Sequence, residues 1–433
     1  MSNGNQAAIL LADDLSGALE AGASFAAAGQ TVCVPLFSEP FAAPLSPCPW
    51  QADLIAYSLE TRLAEPSVAA DRVGRVLSTM PVLPCYIKID STLRGPLKEQ
   101  IRVLREAKPG LCLLIAPANP AAGRTVRDRV LYVRGVPVHQ TEFGSDPATP
   151  VRESDLRRIF GTADSDQAEV AHLSLSELRR VGNGRQLRKQ IDAWLKSGAK
   201  VILADTEEPA DLTLLAQALT EEPGNDLLLP VGSGGLAAAL ASARIPPIGG
   251  DETVSVPEQE RRGQGVLYLV GSAHPVSHRQ AARLASSRQV SCWTVHESPT
   301  VEMLAKARKA LQEGQSVLLC APHRHRSDPR NAGDTVSRWL AAAASALLAQ
   351  SNLQALFVTG GETAQQVLRA VGIEWLRIAG APEPGVTWAE TGGANGALLA
   401  AGRWVVVKPG GFGDENTLIH LHDALQSGGK PQG

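Results

Sequence analysis

The stretch Lys88-Ile89-Asp90-Ser91-Thr92-Leu93-Arg94-Gly95 lies where a buried strand should give way to a helix. An apolar run, residues 85–89, leads into it, and Pro96 follows at a position that suits the first turn of a helix. Apolar side chains then recur at helical spacing from Leu97 to Leu104. The stretch therefore predicts a strand, a polar loop and a helix in succession, which is one unit of an α/β fold.

The polar side chains of this loop share a chemical theme. Arg94 offers a planar pair of donors for a carboxylate, and Lys88 offers a single positive charge. Asp90 can accept the proton of a hydroxyl group. Together these groups suit a polyol that carries a negative charge.

Similar apolar runs recur along the whole chain, and helical patterns follow them. Most of the runs show no alternation of apolar and polar residues, which is typical of strands covered by helices on both faces. The pattern predicts an α/β protein with two domains, each a largely parallel sheet flanked by helices. The runs cover residues 8–12, 85–89, 111–116, 201–204, 227–231, 266–270, 317–320, 356–358 and 404–407.

Length and composition agree with two domains. The chain has 433 residues, of which 44% are hydrophobic, so each half can bury a core of its own. Residues 245–265 are rich in proline, glycine and charged side chains, which is typical of a linker. We therefore predict a first domain over residues 1–244 and a second over residues 266–433.

The overall charge and the cysteines narrow the class of protein. A formal net charge of −3 and an aromatic content of 4% disfavour a nucleic acid or a membrane as the partner. The six cysteines form no CxxC pair, and the first apolar run meets Asp13 too early for a signal peptide or a membrane span. The resulting expectation is a cytoplasmic protein with reduced cysteines.

In open α/β sheets, ligands bind beyond the carboxyl ends of the strands. In the first half of the chain these positions are unusually polar, and together they could form a pocket for carboxylate and hydroxyl groups. Taken singly, the two aspartates could instead cap a helix, and the arginines could form surface salt bridges. The residues are Asp13, Asp14, Ser16 and Gly17; Glu60, Thr61 and Arg62; Lys88 to Arg94; and Asn119, Gly123, Arg124 and Thr125.

The corresponding loops of the second half are rich in glycine. They are Gly271–Pro275, Thr359–Thr363 and Lys408–Gly413. Backbone N–H groups at the start of a helix point toward an anion, so these loops suit phosphate groups. A polyphosphate would also need Mg²⁺, and Lys408 could add a positive charge. No GxxxxGK[ST] motif occurs, which disfavours a P-loop fold.

Two other functions remain open at this point. The segment Gly232–Ala237 matches the GxGxxA pattern, so an NAD-dependent dehydrogenase acting on a sugar acid is an alternative, although no second strand with a ribose-binding acid follows. A non-catalytic sugar-acid sensor is another. His323 and His325 are flanked by arginines and lack further ligands, which disfavours a metal site.

Several of these motifs, in this order, resemble the four-carbon acid sugar kinase family, and the resemblance runs nearly from end to end. It includes the strand-to-helix loops of both halves and a segment that ends at Phe143. The segments that carry it are Ala12–Ala18, Lys88–Gly95, Ala116–Pro120 with Gly123–Thr125, Gly135–Phe143, Gly271–Val276, Thr359–Thr363 and Gly410–Asp414.

The resemblance implies a sugar-acid-binding domain followed by a nucleotide-binding domain, with the active site in the cleft between them. The implied reaction is ATP-dependent phosphorylation of a hydroxyl group, typically the terminal one, of D-threonate, D-erythronate, a 3-oxo-tetronate or a branched oxo-acid, with Mg²⁺ as the ion. By motif, ATP would contact Ser272, Gly360, Gly361, Glu362, Thr363 and Gly410. The acid pocket would be lined by Asp13, Asp14, Arg62, Lys88, Asp90, Ser91 and Arg94.

A carboxylate should accept the hydroxyl proton, and we expect Asp14 first and Asp90 second, although Asp90 could instead cap the following helix. The chain departs from the family pattern at Asn119 and Ala122, beside the predicted acid pocket, so the sequence leaves the identity of the acid open. Closure about a hinge between Pro246 and Pro257 would exclude water from the site. Apolar helix faces leave room for a homodimer.

Overall fold

The computed structural model of the chain describes residues 7–36, 48–80, 83–146, 148–162, 169–221, 227–244, 265–295, 298–322, 332–349, 353–392, 398–399 and 401–427. The chain divides into two compact units. The first joins Met1–Ala28 with Leu54–Gly249, and the second joins Gly29–Asp53 with Gly250–Gly433. The hinge predicted between Pro246 and Pro257 lies outside the described residues. Among the helices that are described, none combines the length and the apolar character needed to span a membrane.

Strands and helices alternate through both units, as the apolar runs predicted. The strands are β1 (Ala8–Ala12), β2 (Val32–Pro35), β3 (Leu54–Ser58), β4 (Tyr86–Lys88), β5 (Cys112–Ala116), β6 (Arg124–Arg127), β7 (Val130–Val133), β8 (Val136–Pro137), β9 (Val170–Leu173), β10 (Val201–Ala204), β11 (Leu228–Gly232), β12 (Val266–Val270), β13 (Val290–Thr294), β14 (Ser316–Cys320), β15 (Ala355–Thr359), β16 (Trp375–Glu383), β17 (Val386–Gly392) and β18 (Trp404–Lys408). The helices are α1 (Leu15–Ala27), α2 (Pro66–Thr79), α3 (Leu97–Ala107), α4 (Leu156–Ile159), α5 (Leu175–Val181), α6 (Gly184–Lys196), α7 (Pro209–Thr220), α8 (Gly234–Arg244), α9 (Pro275–Ser287), α10 (Val301–Gln312), α11 (Ala332–Leu348), α12 (Gly361–Ala370) and α13 (Thr417–Ser427). Every predicted run forms a strand.

The first unit is built on a parallel sheet. Its strands follow the order β3-β1-β4-β11-β5-β10-β9, and neighbouring strands run parallel. All five residues of β5 are buried, which explains why this run shows no alternation in the sequence. The predicted α/β class with a largely parallel sheet is confirmed.

The second unit combines parallel and antiparallel pairing. The strands β13-β14-β12-β15-β18 are parallel, whereas β17, β16 and β2 continue the order with antiparallel pairs. The segment Gly29–Asp53, which the sequence analysis assigned to the first domain, belongs to this unit. The physical reason is that β2 pairs with β16, where Val34 lies opposite Leu376.

Each unit has a strand at which the order of the sheet reverses. In the first unit β1 lies between β3 and β4, and in the second β12 lies between β14 and β15. Loops that leave the carboxyl ends of such neighbouring strands diverge and leave a crevice for ligands. The fold therefore favours one ligand site beyond β1 and another beyond β12.

A small antiparallel sheet, β6-β7-β8, follows β5 in the first unit. The turn between β6 and β7 places Asp128 and Arg129 at φ values of 49° and 64°, a left-handed conformation that costs free energy outside glycine. The Asp205 carboxylate stabilises this turn, because it accepts hydrogen bonds from both backbone N–H groups at 2.9 Å. The hairpin is thereby fixed to the end of β10.

Candidate active site

The residues predicted to bind the acid follow three neighbouring strands of the first unit. Asp13 and Asp14 come directly after β1, Arg62 follows β3, and Lys88 ends β4. These strands are parallel, so their carboxyl ends meet at one edge of the sheet. The backbone ties them together there, because Asp13 N–H donates to the Lys88 carbonyl at 3.1 Å and Arg62 N–H donates to the Asp13 carbonyl at 3.2 Å.

Arg62 is the centre of this group. Its Nε and Nη2 donate to the two carboxylate oxygens of Asp13 at 2.8 and 2.9 Å, and its Nη1 donates to Asp14. An Asp90 oxygen lies 3.9 Å from Nη2. Burial would lower the pKa of the Arg62 guanidinium, but the three carboxylates outweigh it and raise that pKa well above its usual value. Arg62 is a cation that is already paired with carboxylates of the protein.

Asp90 is held by the loop that follows it. Its Oδ2 accepts the backbone N–H groups of Thr92 and Arg94, each at 3.3 Å, and the Thr92 hydroxyl. Arg94 also donates Nε and Nη2 to the two Asp90 oxygens at 2.9 and 3.1 Å. Burial would raise the pKa of Asp90, but the charges of Arg94 and Arg62 hold it well below its usual value. A carboxylate stabilised in this way is a poor proton acceptor.

Asp14 has a different environment. It caps α1, because its Oδ1 accepts the Gly17 N–H at 2.6 Å. Burial raises the pKa of Asp14, and the positive charge of Arg62 offsets only part of that effect. The Asp14 side chain is 21% exposed, compared with 10% for Asp90. Of the two candidate bases, Asp14 is therefore the more basic and the more accessible.

Lys88 and Ser91 complete the set predicted for the acid. The Lys88 ammonium is buried, pairs with Glu20 of α1 at 3.0 Å and donates to the Ile89 carbonyl at 3.2 Å. Burial would lower the pKa of Lys88, but the carboxylates of Glu20 and Asp13 raise it. Ser91 is half-buried in the turn after β4. The structure thus brings the predicted acidic and basic side chains together around Arg62.

The residues predicted to contact ATP come from three loops of the second unit. Ser272 follows β12, Gly360 precedes α12, and Gly410 follows β18. A methyl group on Gly410 would lie 2.7 Å from the Cβ of Ser272, so the first and third loops are in close contact. Gly360 is the N-cap of α12 and has a φ of 100°, a value that favours glycine. The three loops therefore meet at the amino end of α12.

The other predicted ATP contacts lie in the first turn of α12, which begins at Gly361. Glu362 is exposed there. Thr363 is buried, and its hydroxyl is hydrogen-bonded to Ser337 at 3.0 Å. A ligand above this turn would thus meet the backbone of α12 more readily than the Thr363 hydroxyl.

The Lys408 ammonium contacts the backbone of its own loop, whereas the sequence suggested a direct contact with a phosphate. The side chain is fully buried, and its ammonium donates to three carbonyls of the following loop, those of Pro409, Gly410 and Phe412, at 2.9, 3.3 and 3.0 Å. Burial lowers the pKa of Lys408 to about 8. The lysine therefore acts through the shape of the loop.

Two other side chains also donate hydrogen bonds to the carbonyls of this loop from the interior. Ser277 donates to the Gly410 carbonyl at 2.7 Å, and Gln280 donates to the Phe412 carbonyl at 3.1 Å. With these carbonyls facing inward, the backbone N–H groups of Gly410 and Gly411 have no hydrogen-bond partner in the part of the chain that the structure describes. Free N–H groups in a glycine loop beside a helix start are suited to an anion.

The described residues offer no preformed metal cage. Among them, no group of three or more His, Cys, Asp and Glu side chains could hold an ion. His323 and His325 lie outside the described residues. Mg²⁺ commonly binds kinase sites through one or two carboxylates, substrate phosphates and water, so an ion delivered with a nucleotide would not need a preformed cage.

The GxGxxA segment has a structural explanation that does not need a dinucleotide. A methyl group on Gly232 would lie 2.6 Å from the Ala116 carbonyl, and one on Gly235 would lie 3.0 Å from the Ala118 carbonyl. Ser233 donates its hydroxyl to that Ala118 carbonyl at 2.7 Å. These glycines allow α8 to pack closely on the sheet, which removes the main sequence support for a dehydrogenase.

Several residues around the acid pocket were missed by the sequence analysis. Glu20 pairs with Lys88, and Asp146 lies 3.5 Å from Arg94. Phe143 has the Arg94 guanidinium over its ring, 5.6 Å from the centroid. Glu20 follows the helix-capping aspartate on α1, which is a faint signal, whereas nothing in the local sequence around Asp146 indicates its contact.

Family models match both halves of the chain. A sugar-binding N-terminal domain matches residues 8–240, and a nucleotide-binding C-terminal domain matches residues 267–418. The crystal structure of the Haemophilus influenzae protein HI1011 has a TM-score of 0.70 at 18% identity, with 97% of this chain and 99% of that chain covered. At that identity the likeness supports the fold.

Relatives named as kinases are similar over almost the whole length. The D-threonate kinase of Salmonella typhimurium strain LT2 is 30% identical over 96% of this chain and 97% of its own. The 3-oxo-tetronate kinase of Pseudomonas savastanoi pv. phaseolicola is 27% identical over 93% of this chain and 94% of its own. With two matching domain models and full-length relatives that are kinases, the chain belongs to the four-carbon acid sugar kinase family.

Proposed function

We propose that this protein uses ATP to phosphorylate the terminal hydroxyl of a four-carbon sugar acid, and that D-threonate is the first substrate to test. The observation that carries the proposal is the cluster at the carboxyl ends of β1, β3 and β4, where Asp13, Asp14 and Asp90 surround Arg62. Carboxylates bind hydroxyl groups, and the basic side chains among them suit the charge of an acid. The D-threonate kinase relative is the more similar of the two described above.

The division of labour follows from the chemistry of the two loop clusters. The glycine loops beyond β12, β15 and β18 would bind ATP, with free backbone N–H groups directed at its phosphates. The cluster beyond β1 would hold the acid. Transfer requires that the γ-phosphorus and the acceptor oxygen come into line within reach of each other, so catalysis is mainly positioning and charge neutralisation.

Asp14 is proposed as the general base. The hydroxyl proton passes to the Asp14 carboxylate as the acceptor oxygen forms a bond to the γ-phosphorus, and the bond from that phosphorus to the bridging oxygen of ADP breaks. Burial raises the pKa of Asp14, whereas the charges of Arg94 and Arg62 hold the pKa of Asp90 well below its usual value. Asp90 would then position Arg94, and Mg²⁺ bound to the phosphates would neutralise their charge.

The test is ADP release by the purified protein with Mg-ATP and a panel of acids. The panel contains D-threonate, D-erythronate, their 3-oxo forms and five-carbon acids, with the neutral polyols threitol and erythritol as matched controls. We expect turnover of one or a few acids, with D-threonate among them, and a product phosphorylated at the terminal oxygen by ³¹P and ¹³C NMR. Failure of every acid while ATP still binds would refute the proposed substrate class.

The predicted homodimer and the cytoplasmic location stay predictions. Light scattering coupled to size-exclusion chromatography of the purified protein tests the first. A mass of one chain at assay concentrations would contradict it.

A further inference from the structure

Arg124 is fixed at the edge of the acid pocket by the backbone around it. It is the first residue of β6, and its backbone exchanges two hydrogen bonds of 3.0 Å with Asn119, beyond the end of β5. The intervening turn passes through Gly123 at a φ of 72°. The base of the side chain therefore has a defined position near the carboxyl end of the sheet.

Arg124 differs in its partners from the other basic residues of this site. Arg62, Arg94 and Lys88 are each paired with a carboxylate of the protein. Arg124 forms no ion pair with any residue that the structure describes, and its Nε is buried without a hydrogen-bond partner. Its Nη1 donates to the Ala122 carbonyl, which leaves most of its five N–H donors for a ligand.

The guanidinium of Arg124 shares an aromatic platform with Arg94. It lies over the Phe143 ring, 5.9 Å from the centroid, and that of Arg94 lies over the same ring at 5.6 Å. Phe143 is held in turn, because its carbonyl accepts the Val151 N–H at 2.9 Å. Burial lowers the pKa of the Arg124 guanidinium, and the negative charge of Asp90 offsets part of that effect. Arg124 thus belongs to the Asp90–Arg94 side of the pocket.

We propose that Arg124, supported by the Phe143 ring, binds the carboxylate of the substrate and is the residue that makes this site select acids over neutral polyols. The proposal rests on the proposed function and deepens it. A carboxylate is best bound by a guanidinium that is not already paired with one, because a fork bonded to a buried aspartate must lose that partner first. Among the basic residues of this pocket, Arg124 alone meets the requirement within the described part of the chain.

This assignment gives the substrate a direction. With its carboxylate at Arg124, a four-carbon chain extends toward Arg62 and the aspartates, where its hydroxyl groups can donate to carboxylate oxygens. The terminal hydroxyl is then the end farthest from Arg124, which matches phosphorylation at that position. Lysine would be a poor replacement, because its point charge cannot form two parallel hydrogen bonds to a carboxylate.

The test compares three variants with the wild type by calorimetric binding of D-threonate and threitol and by steady-state kinetics with both. Arg124→Met removes the charge, and Arg124→Lys keeps it without the planar fork. The matched control is Arg127→Met on the same strand, because Arg127 is 57% exposed and lies over the Tyr132 ring instead. Thermal unfolding of each variant checks that the fold is retained.

We expect Arg124→Met to weaken D-threonate binding by at least about 30-fold and to raise KM accordingly, while threitol binding changes by less than about 3-fold. Arg124→Lys should lose about 10-fold in affinity for D-threonate, and Arg127→Met should bind D-threonate as the wild type does. Retained acid affinity in Arg124→Met, or an equal loss for threitol, would overturn the proposal. If Arg124→Met does not fold, the lysine variant decides on the same ratio. Wild-type protein that binds none of the acids would instead refute the proposed function.

Discussion

Replacement of Gly410 by alanine should weaken nucleotide binding without changing the acid pocket. The backbone of Gly410 is outside the left-handed region, so alanine is conformationally allowed. The new methyl carbon, however, would lie 2.7 Å from the Cβ of Ser272 and closer still to its Oγ. Rotation of the serine side chain moves Oγ but leaves Cβ in place, so one of the two backbones must shift.

The hydrogen bonds of the loop indicate which side resists. On the interior side, Ser277 and Lys408 donate hydrogen bonds to the Gly410 carbonyl at 2.7 and 3.3 Å. The loop therefore cannot move inward without compressing these hydrogen bonds. Overpacking of this kind costs about 1–3 kcal/mol. If the variant relieves the strain by moving Ser272 away from the loop, nucleotide binding must bring the two back together and pay that strain energy. The expected loss of affinity is then about 5- to 150-fold, since each 1.4 kcal/mol is a factor of about ten.

The assay is calorimetric binding of a non-hydrolysable ATP analogue with Mg²⁺, with acid binding measured separately. Gly411→Ala is the matched control, because the three atoms nearest to its methyl carbon all belong to the His274 ring, with Nε2 at 3.2 Å. The His274 side chain is exposed and can move away from the added methyl group, so this variant should lose less than about 3-fold in nucleotide affinity. Wild-type nucleotide affinity in Gly410→Ala, or an equal loss in both variants, would refute the packing argument.

Three further variants test the other assignments. Asp14→Asn should lower kcat at least about 100-fold with a smaller change in KM for the acid. Because burial raises the pKa of Asp14 above its usual 3.8, wild-type kcat should fall with decreasing pH, with a midpoint above 3.8. An undiminished kcat in the variant would exclude Asp14 as the base. Asp90→Asn should lower the free energy of unfolding by about 3 kcal/mol at neutral pH, because it removes the carboxylate that pairs with Arg94 and faces Arg62. The pKa of Asp90 in the folded protein lies well below 3.8, so the difference from the wild type should shrink only as the pH falls below 3.8 toward that lower pKa. Urea unfolding that shows a pH-independent difference would contradict this. Lys408→Met should weaken ATP binding about 10-fold. The Lys408 ammonium of the wild type loses its proton above a pKa of about 8, so wild-type affinity for ATP should decline above that pH. In calorimetry the affinity of the variant should not change over the same pH range.

The parallel strands were accessible from sequence because they are buried on both faces. A run such as residues 201–204 must be apolar throughout when helices cover it on both sides, so composition alone marks it. The antiparallel strands were harder to predict. β16 spans Trp375–Glu383 and has an irregular register against β17 near Gly380, so it has no simple period. The pairing of β2 with β16 is a contact between distant parts of the chain, and local sequence carries no trace of it.

The chemistry of the site was predictable as a set of residues but not as a set of partners. The rule that ligands bind beyond parallel strands correctly grouped Asp13, Arg62 and Lys88. It could not tell that Arg62 and Arg94 would be bonded to aspartates, because that depends on side-chain directions across neighbouring loops. Lys408 shows the same limit, since a lysine after a strand can face a phosphate or, as here, three carbonyls.

The pairing within the acid pocket has a consequence for how such a site can recognise an anion. A buried cation without a partner is costly, so most of the basic side chains here are neutralised by aspartates and a glutamate. This network holds the pocket in shape before the substrate arrives, which lowers the ordering cost of binding. It also means that net positive charge at the site is small, and attraction for an acid must come from the few donors that remain unpaired. Selectivity for a carboxylate then depends on a single side chain that the network leaves uncompensated, and Arg124, which leaves a buried Nε without a partner, is in that position.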